Sequence, residues 1–133
     1  MSRSSRLARS DFQKLVSTYV AKLEDEELDI SLLAEKIHAD VKNLTAKQRK
    51  RFLNNVRWLV VESKVRLKGR LTFEVASRIF AAVVFWEYAC NKYAMTMIVN
   101  DPSRKAAWNK LSEISGMNRD NILAIIRIFD HLH

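Results

Sequence analysis

Two glycines, Gly69 and Gly116, and one proline, Pro102, are all that punctuate this chain of 133 residues. A sheet protein needs turn residues between short strands, so their scarcity argues against that class and leaves helices joined by short loops. Cysteine is scarcer still. The single Cys90 cannot form an internal disulfide, and His38, His131 and His133 are too scattered to complete a zinc site with it. Cys90 lies in an apolar stretch, where a free thiol is expected to behave as a small buried core residue, and a reducing, intracellular setting fits it. The late apolar run Ile122 to Phe129 is too short to span a bilayer and contains Arg127, so no hydrophobic anchor is expected. A Gly-rich phosphate loop, a nucleophile elbow, a paired-carboxylate site and a His-Glu-x-x-His zinc motif are all missing, and Asp11, Glu74 and Glu87 stand isolated. No enzyme, no cofactor and no metal are expected.

What is present is an ordinary globular balance, with hydrophobic residues at 48% and charged residues at 29%, far from the composition of a disordered chain. One domain over 1–133 is expected, of a size that buries about two-thirds of its unfolded surface. The opening Met-Ser-Arg-Ser-Ser-Arg-Leu-Ala-Arg is rich in Arg and Ser like an organelle transit peptide, but Asp11 and a regular helical pattern follow at once. Residues 1–9 therefore read as a flexible basic arm.

Net charge is +8, which raises the expectation of an anionic partner. The charge is also segregated. Glu24 to Asp40 holds seven acidic residues against Lys36 alone, and Lys42 to Arg70 holds ten basic residues against Glu62 alone.

Apolar spacing predicts six helices. Phe12, Leu15, Val16, Tyr19, Val20 and Leu23 form one face of the first, and Ile30, Leu33, Ile37, Val41 and Leu44 line the second, capped by Asp29 or Ser31. Thr45 with Gln48 three residues later reads as a capping box opening a third, with Phe52, Leu53, Val56, Leu59 and Val60 inward. Lys64, Arg66 and Lys68 before Gly69 suggest that this helix ends near Lys68. Thr72 caps the next, and from Phe73 to Val99 only Glu74, Arg78, Glu87 and Lys92 interrupt apolar and neutral residues. A helix apolar nearly all round is surrounded by others. Asp101-Pro102 starts a fifth helix carrying Ala106, Ala107, Trp108, Leu111 and Ile114 and stopping at Gly116. Asn118 caps the last, with Ile122, Ile125, Ile126, Phe129 and Leu132 inward.

Two features bear on function. The stretch Lys47-Gln-Arg-Lys-Arg51 opens the third helix, where cations oppose the helix dipole; it reads either as a phosphate-contacting surface or as a solvated face. No helix-turn-helix pattern accompanies it. Arg78 sits in apolar surroundings near the start of the central helix, where an unpaired charge would be costly. An internal pair with Asp40 or Glu74 is the expectation from periodicity, and the edge of a groove awaiting an acidic ligand is the alternative.

The segment Ala76-Ser-Arg-Ile-Phe-Ala-Ala-Val-Val-Phe-Trp-Glu-Tyr-Ala-Cys90 resembles the first homology motif of Bcl-2-like apoptosis regulators, Asn-Trp-Gly-Arg-Ile-Val-Ala-Phe-Phe-Ser-Phe, which runs into that family's central hydrophobic helix. Arg78, Ile79, Ala81 and Phe85 match it directly, while Val75 and Ala76 replace the Asn and Trp. Leu15-Val-Ser-Thr-Tyr-Val20 is similar to the family's amino-terminal signature. Leu33 to Asp40 is loosely like its death-motif helix, with Ala39-Asp40 for Gly-Asp, and no Trp-centred second motif follows. The short, divergent form looks most like copies carried by large DNA viruses.

The resemblance implies an all-α, Bcl-2-like bundle around a central helix at about 73–99. It implies an anti-apoptotic function, capture of the amphipathic death-motif helix of pro-apoptotic partners such as Bim, Bak or Bax in a hydrophobic groove. Arg78 would meet the acid of the ligand, with Phe80, Ala81 and Phe85 forming the groove floor, Phe52, Val56 and Val60 a wall, and Val75 also among the ligand-binding residues. A host-cell cytoplasmic location follows, with partners recruiting the protein to mitochondria. Two alternatives are a small basic nucleic-acid-binding protein using Lys47 to Arg51 and Arg66 to Arg70, and a helical subunit or homodimer in which Trp58, Trp86 and Trp108 lie at the interface rather than in the core.

Overall fold

The structure is a computed structural model; it describes residues 3–93 and 105–131. Among these residues it is all-helical, with six α-helices and one 3-10 turn, Ile30–Leu32. The helices are α1 (Arg3–Glu24), α2 (Leu33–Lys42), α3 (Ala46–Ser63), α4 (Phe73–Tyr93), α5 (Lys105–Ser115) and α6 (Arg119–Asp130). Helix α1 begins at Arg3, so the backbone expected to form a flexible arm over 1–9 is helical from that point. The expected Asp101-Pro102 start and the extension of the central helix from residue 94 to Val99 lie outside the described residues.

Local chemistry sets most of the boundaries. The Thr45 side chain accepts from the Gln48 N–H at 3.2 Å while Gln48 Oε1 accepts from the Thr45 N–H at 3.1 Å, satisfying two donors that a helix start leaves open. Asn118 Oδ1 accepts from Asn121 N–H at 2.9 Å, and Asp29 Oδ1 from Ser31 N–H at 2.9 Å. That last bond, with a second from the Ser31 hydroxyl, holds the Asp29 carboxyl below its ordinary range. Helix α1 ends on Glu26 in the left-handed region (φ 57°), and the Glu27 N–H reaches back to the Lys22 carbonyl at 3.0 Å.

One boundary differs from expectation. Helix α3 stops at Ser63, with Lys64 in the left-handed region (φ 61°), instead of running on to Lys68. Beyond Ser63 the apolar residues Val65 and Leu67 alternate with cations, a period of two that an extended chain can press onto the core and a helix cannot. Both side chains, with Leu71, pack there half-buried.

Helix α4 is the axis of the bundle and packs against all five other helices. From Ile79 to Trp86 its side chains are buried on every side, as its near-continuous hydrophobicity requires. Phe80 is the aromatic hub. Its ring meets those of Phe12, Tyr19 and Phe52 edge-on at 5.2, 5.8 and 5.3 Å, and Phe12 continues the chain of contacts to Phe129 at 6.0 Å. These edge-to-face geometries suit the ring quadrupoles. Trp86 and Trp108 stack at 5.1 Å and 18°, joining α4 to α5 inside the core. Cys90, expected to be buried, is half-buried toward the end of α4. No helix among the described residues is long and apolar enough to cross a membrane.

Candidate functional site

The amino-terminal end of α4 is where the central helix reaches the surface. Thr72 caps it, accepting from Val75 N–H at 3.1 Å, and the Ser77 hydroxyl donates to the Phe73 carbonyl at 2.7 Å so that this polar side chain can be buried. Glu74 and Arg78, one turn apart, remain exposed. The expectation that Arg78 is buried and internally paired is therefore corrected. Asp40 is engaged elsewhere, accepting from the Tyr19 hydroxyl at 2.5 Å and from Lys36 Nζ at 2.9 Å. Among the described residues the Arg78 side chain makes no hydrogen bond or ion pair.

What holds the guanidinium is a close approach to α5. A Cβ on Gly116 would lie 3.1 Å from Arg78 Nη1, and Gly116 adopts φ 70° to end α5. Glycine suits the left-handed turn there, and a side chain at this position would press on the guanidinium. The carbonyl end of α5 carries partial negative charge, which suits a cation resting against it.

Arg78 borders a surface depression of about 340 Å³. Ile30, Ser31, Ala34, Glu35 and His38 line it from the 3-10 turn and α2, Glu74 from α4, and Lys110, Glu113 and Ile114 from α5. Lys110 and Glu113 face each other at 3.7 Å, with Glu113 largely in solvent. Apolar side chains thus lie within a charged rim. No three His, Cys, Asp or Glu side chains among the described residues could hold a metal ion.

The other expected site residues fall differently. Phe80, Ala81 and Val56 are completely buried, and Phe52, Val60 and Phe85 nearly so. Phe52 does meet Phe80, but as one core contact, so the expected floor and wall enclose no open groove here. The reason is that α3 packs its apolar face directly on α4 and α6. Val75 is half-buried beside Arg78. Sequence reasoning missed Ile30, Ala34, Lys110, Glu113 and Ile114. Their spacing places Ile30 and Ile114 on core-facing stripes, and only the convergence of α2 and α5 on α4 makes them part of a surface.

Two further concavities exist. One of about 210 Å³ lies between α1, α4 and α6 and includes Gln13, Ser17, Glu24, Glu87 and Asn91. Another, of about 230 Å³ and more apolar, lies between α1 and α3 beside Leu15, Leu44 and Phe52.

Comparison with protein-family models, curated proteins and solved structures finds no match to this chain. Fold and site define a small helical bundle whose central apolar helix surfaces at one end beside an exposed, unpaired arginine.

Proposed function

We propose that the protein binds an amphipathic helix and acts, in the manner of Bcl-2-like survival factors, by sequestering the death-motif helix of pro-apoptotic partners. The observation that carries this reading is Arg78, a guanidinium without a protein partner on the rim of a depression with apolar lining, at the start of a buried central helix. A carboxylate on a docked helix would supply the missing partner, and a bidentate Arg-carboxylate bond would fix register as well as add attraction. Ile30, Ala34 and Ile114 would take an apolar anchor from the same ligand face. The depression suits anchoring side chains, and the bound helix would lie across it.

Titration against a panel of pro-death helix peptides tests the proposal. Truncating one member of a charge pair sequestered at an interface costs about 2 to 5 kcal/mol, so Arg78→Ala should weaken binding more than about tenfold. Arg78→Lys should recover little of it. Failure of every peptide to bind would overturn the reading, and equal binding by wild type and Arg78→Ala would remove Arg78 from it.

A further inference from the structure

A second surface, independent of the Arg78 site, lies along α3 and the segment that follows it. The outward face of α3 carries Lys47, Lys50, Asn54, Arg57 and Val61, successive positions three or four apart and all exposed. Lys64 continues this line at the end of the helix. Arg66, Lys68 and Arg70 follow in the next segment, exposed, while its Val65, Leu67 and Leu71 are pressed onto the core. The alternation fixes the direction of the cations: anchoring every second residue inward holds the intervening ones outward.

These charges are not balanced within the fold. The side chains of Lys47, Lys50, Lys64, Arg66, Lys68 and Arg70 make no hydrogen bond or ion pair among the described residues. Arg51 bonds Asp11 at 3.0 Å and Arg57 bonds Asn54 at 2.7 Å. The first turn of α3 has no acidic residue and its last turn no basic one, so the cations at its start oppose the helix dipole. The cations in the first turn work against α3, and an external anion would offset them.

We infer that this α3 ridge, together with the exposed cations of the segment that follows it, binds the phosphate backbone of a nucleic-acid duplex. A linear anion array is the complement of a linear cation array. At 1.5 Å per residue the stretch from Lys47 to Lys64 is about 25 Å long, which is most of one duplex turn. A membrane surface fits less well, because an interfacial helix sinks an apolar face into the bilayer. The apolar face of α3, Phe52, Val56, Leu59 and Val60, is committed to the core, and Val61 alone is apolar on the exposed ridge. Single strands fit less well too, since the exposed positions of the ridge include no aromatic ring on which bases could stack. Phosphate contacts without base contacts give binding with little sequence preference.

The test is fluorescence anisotropy of a labelled DNA duplex of about two helical turns with the full chain, with the triple reversal Lys47→Glu, Lys50→Glu and Arg57→Glu, and with a control reversal of equal charge, Lys14→Glu, Lys105→Glu and Arg119→Glu, whose residues are exposed elsewhere. Circular dichroism checks that each variant is helical. With about five phosphate contacts, affinity should fall about a hundredfold or more between about 50 and 200 mM salt. The ridge variant should bind more than about tenfold more weakly and lose about three units of salt slope, while the control and Arg78→Ala retain most of the affinity. Equal weakening by ridge and control reversals would reduce the effect to net charge and overturn the inference. So would absence of duplex binding at low salt, or tighter binding of anionic phosphatidylserine vesicles than of duplex. Peptide binding at Arg78 is read separately, so either proposal can fail alone.

Discussion

Asp40 accepts two donors at once, the Tyr19 hydroxyl from α1 and the Lys36 ammonium one turn back on α2. Partial burial is the largest influence on its carboxyl and pushes the pKa up, but the bonds from Tyr19 and Lys36, with the charges of Lys36 and Lys22, outweigh it and hold the pKa below the ordinary value. The folded state therefore keeps this carboxylate ionised more firmly than the unfolded chain does. Its stabilisation is complete above about pH 4, where unfolded Asp titrates, and drains away as pH falls through the folded value. The Tyr19 phenol moves the other way. Burial first, then the hydrogen bond to Asp40 and its charge, raise its pKa well above the ordinary range. Its contribution is intact below about pH 10 and is lost as pH rises from there toward the folded value. Tyr19→Phe should cost about 1 kcal/mol at neutral pH and raise the Asp40 pKa. Urea titrations from pH 3 to 7 and carboxyl NMR of Asp40 check this; an unchanged acid limb would show that the tie contributes nothing.

At the scale of the element, helix boundaries follow short-range chemistry wherever that chemistry is unopposed. The capping box of Thr45 and Gln48, the Thr72 and Asn118 caps and the glycine stop at Gly116 are all legible in the sequence, because each involves residues two to four apart. Thr45→Ala leaves donors open at the start of α3, where Lys47 already opposes the dipole, and should lower stability by about 1 kcal/mol. Chemical denaturation with an unchanged m-value would identify this as loss of stability alone. The end of α3 differs from the expected Lys68 because Lys64, Arg66, Lys68 and Gly69 satisfy the rules for a helix terminus equally well on a helix or after one. What decides is the core surface waiting for Val65 and Leu67, which no local rule contains.

On the scale of the whole molecule, α4 divides its work between core and surface over a few residues. Phe80 ties α4 to α1 and α3 directly, and through Phe12 to α6. Phe80→Ala should cost about 3 to 5 kcal/mol, a large share of the total stability of a domain of this size. Arg78→Ala, two residues earlier, should leave the melting temperature nearly unchanged, because exposed groups without partners contribute little. Calorimetry of the two variants side by side checks the contrast; comparable losses would mean that Arg78 is structural. The two proposed surfaces, the ridge on α3 and the rim at Arg78, draw on different residues and would take different partners.

The sequence by itself determined, through the spacing of its apolar residues, that the described residues are helical and that one helix is buried all round, and, through its capping residues Thr45, Thr72 and Asn118, where three helices begin. Those properties depend on neighbours along the chain and on how much surface must leave water. The tertiary structure alone decided which way Arg78 points. Periodicity placed it among Phe80, Ala81 and Phe85, but a helix emerging from a core turns one side of its first turns outward, and the approach of Gly116 at the end of α5 gives the guanidinium its resting place. It likewise decided that Phe80 and Phe52 meet as core rather than across a groove, because contact between distant helices follows from packing and not from sequence spacing.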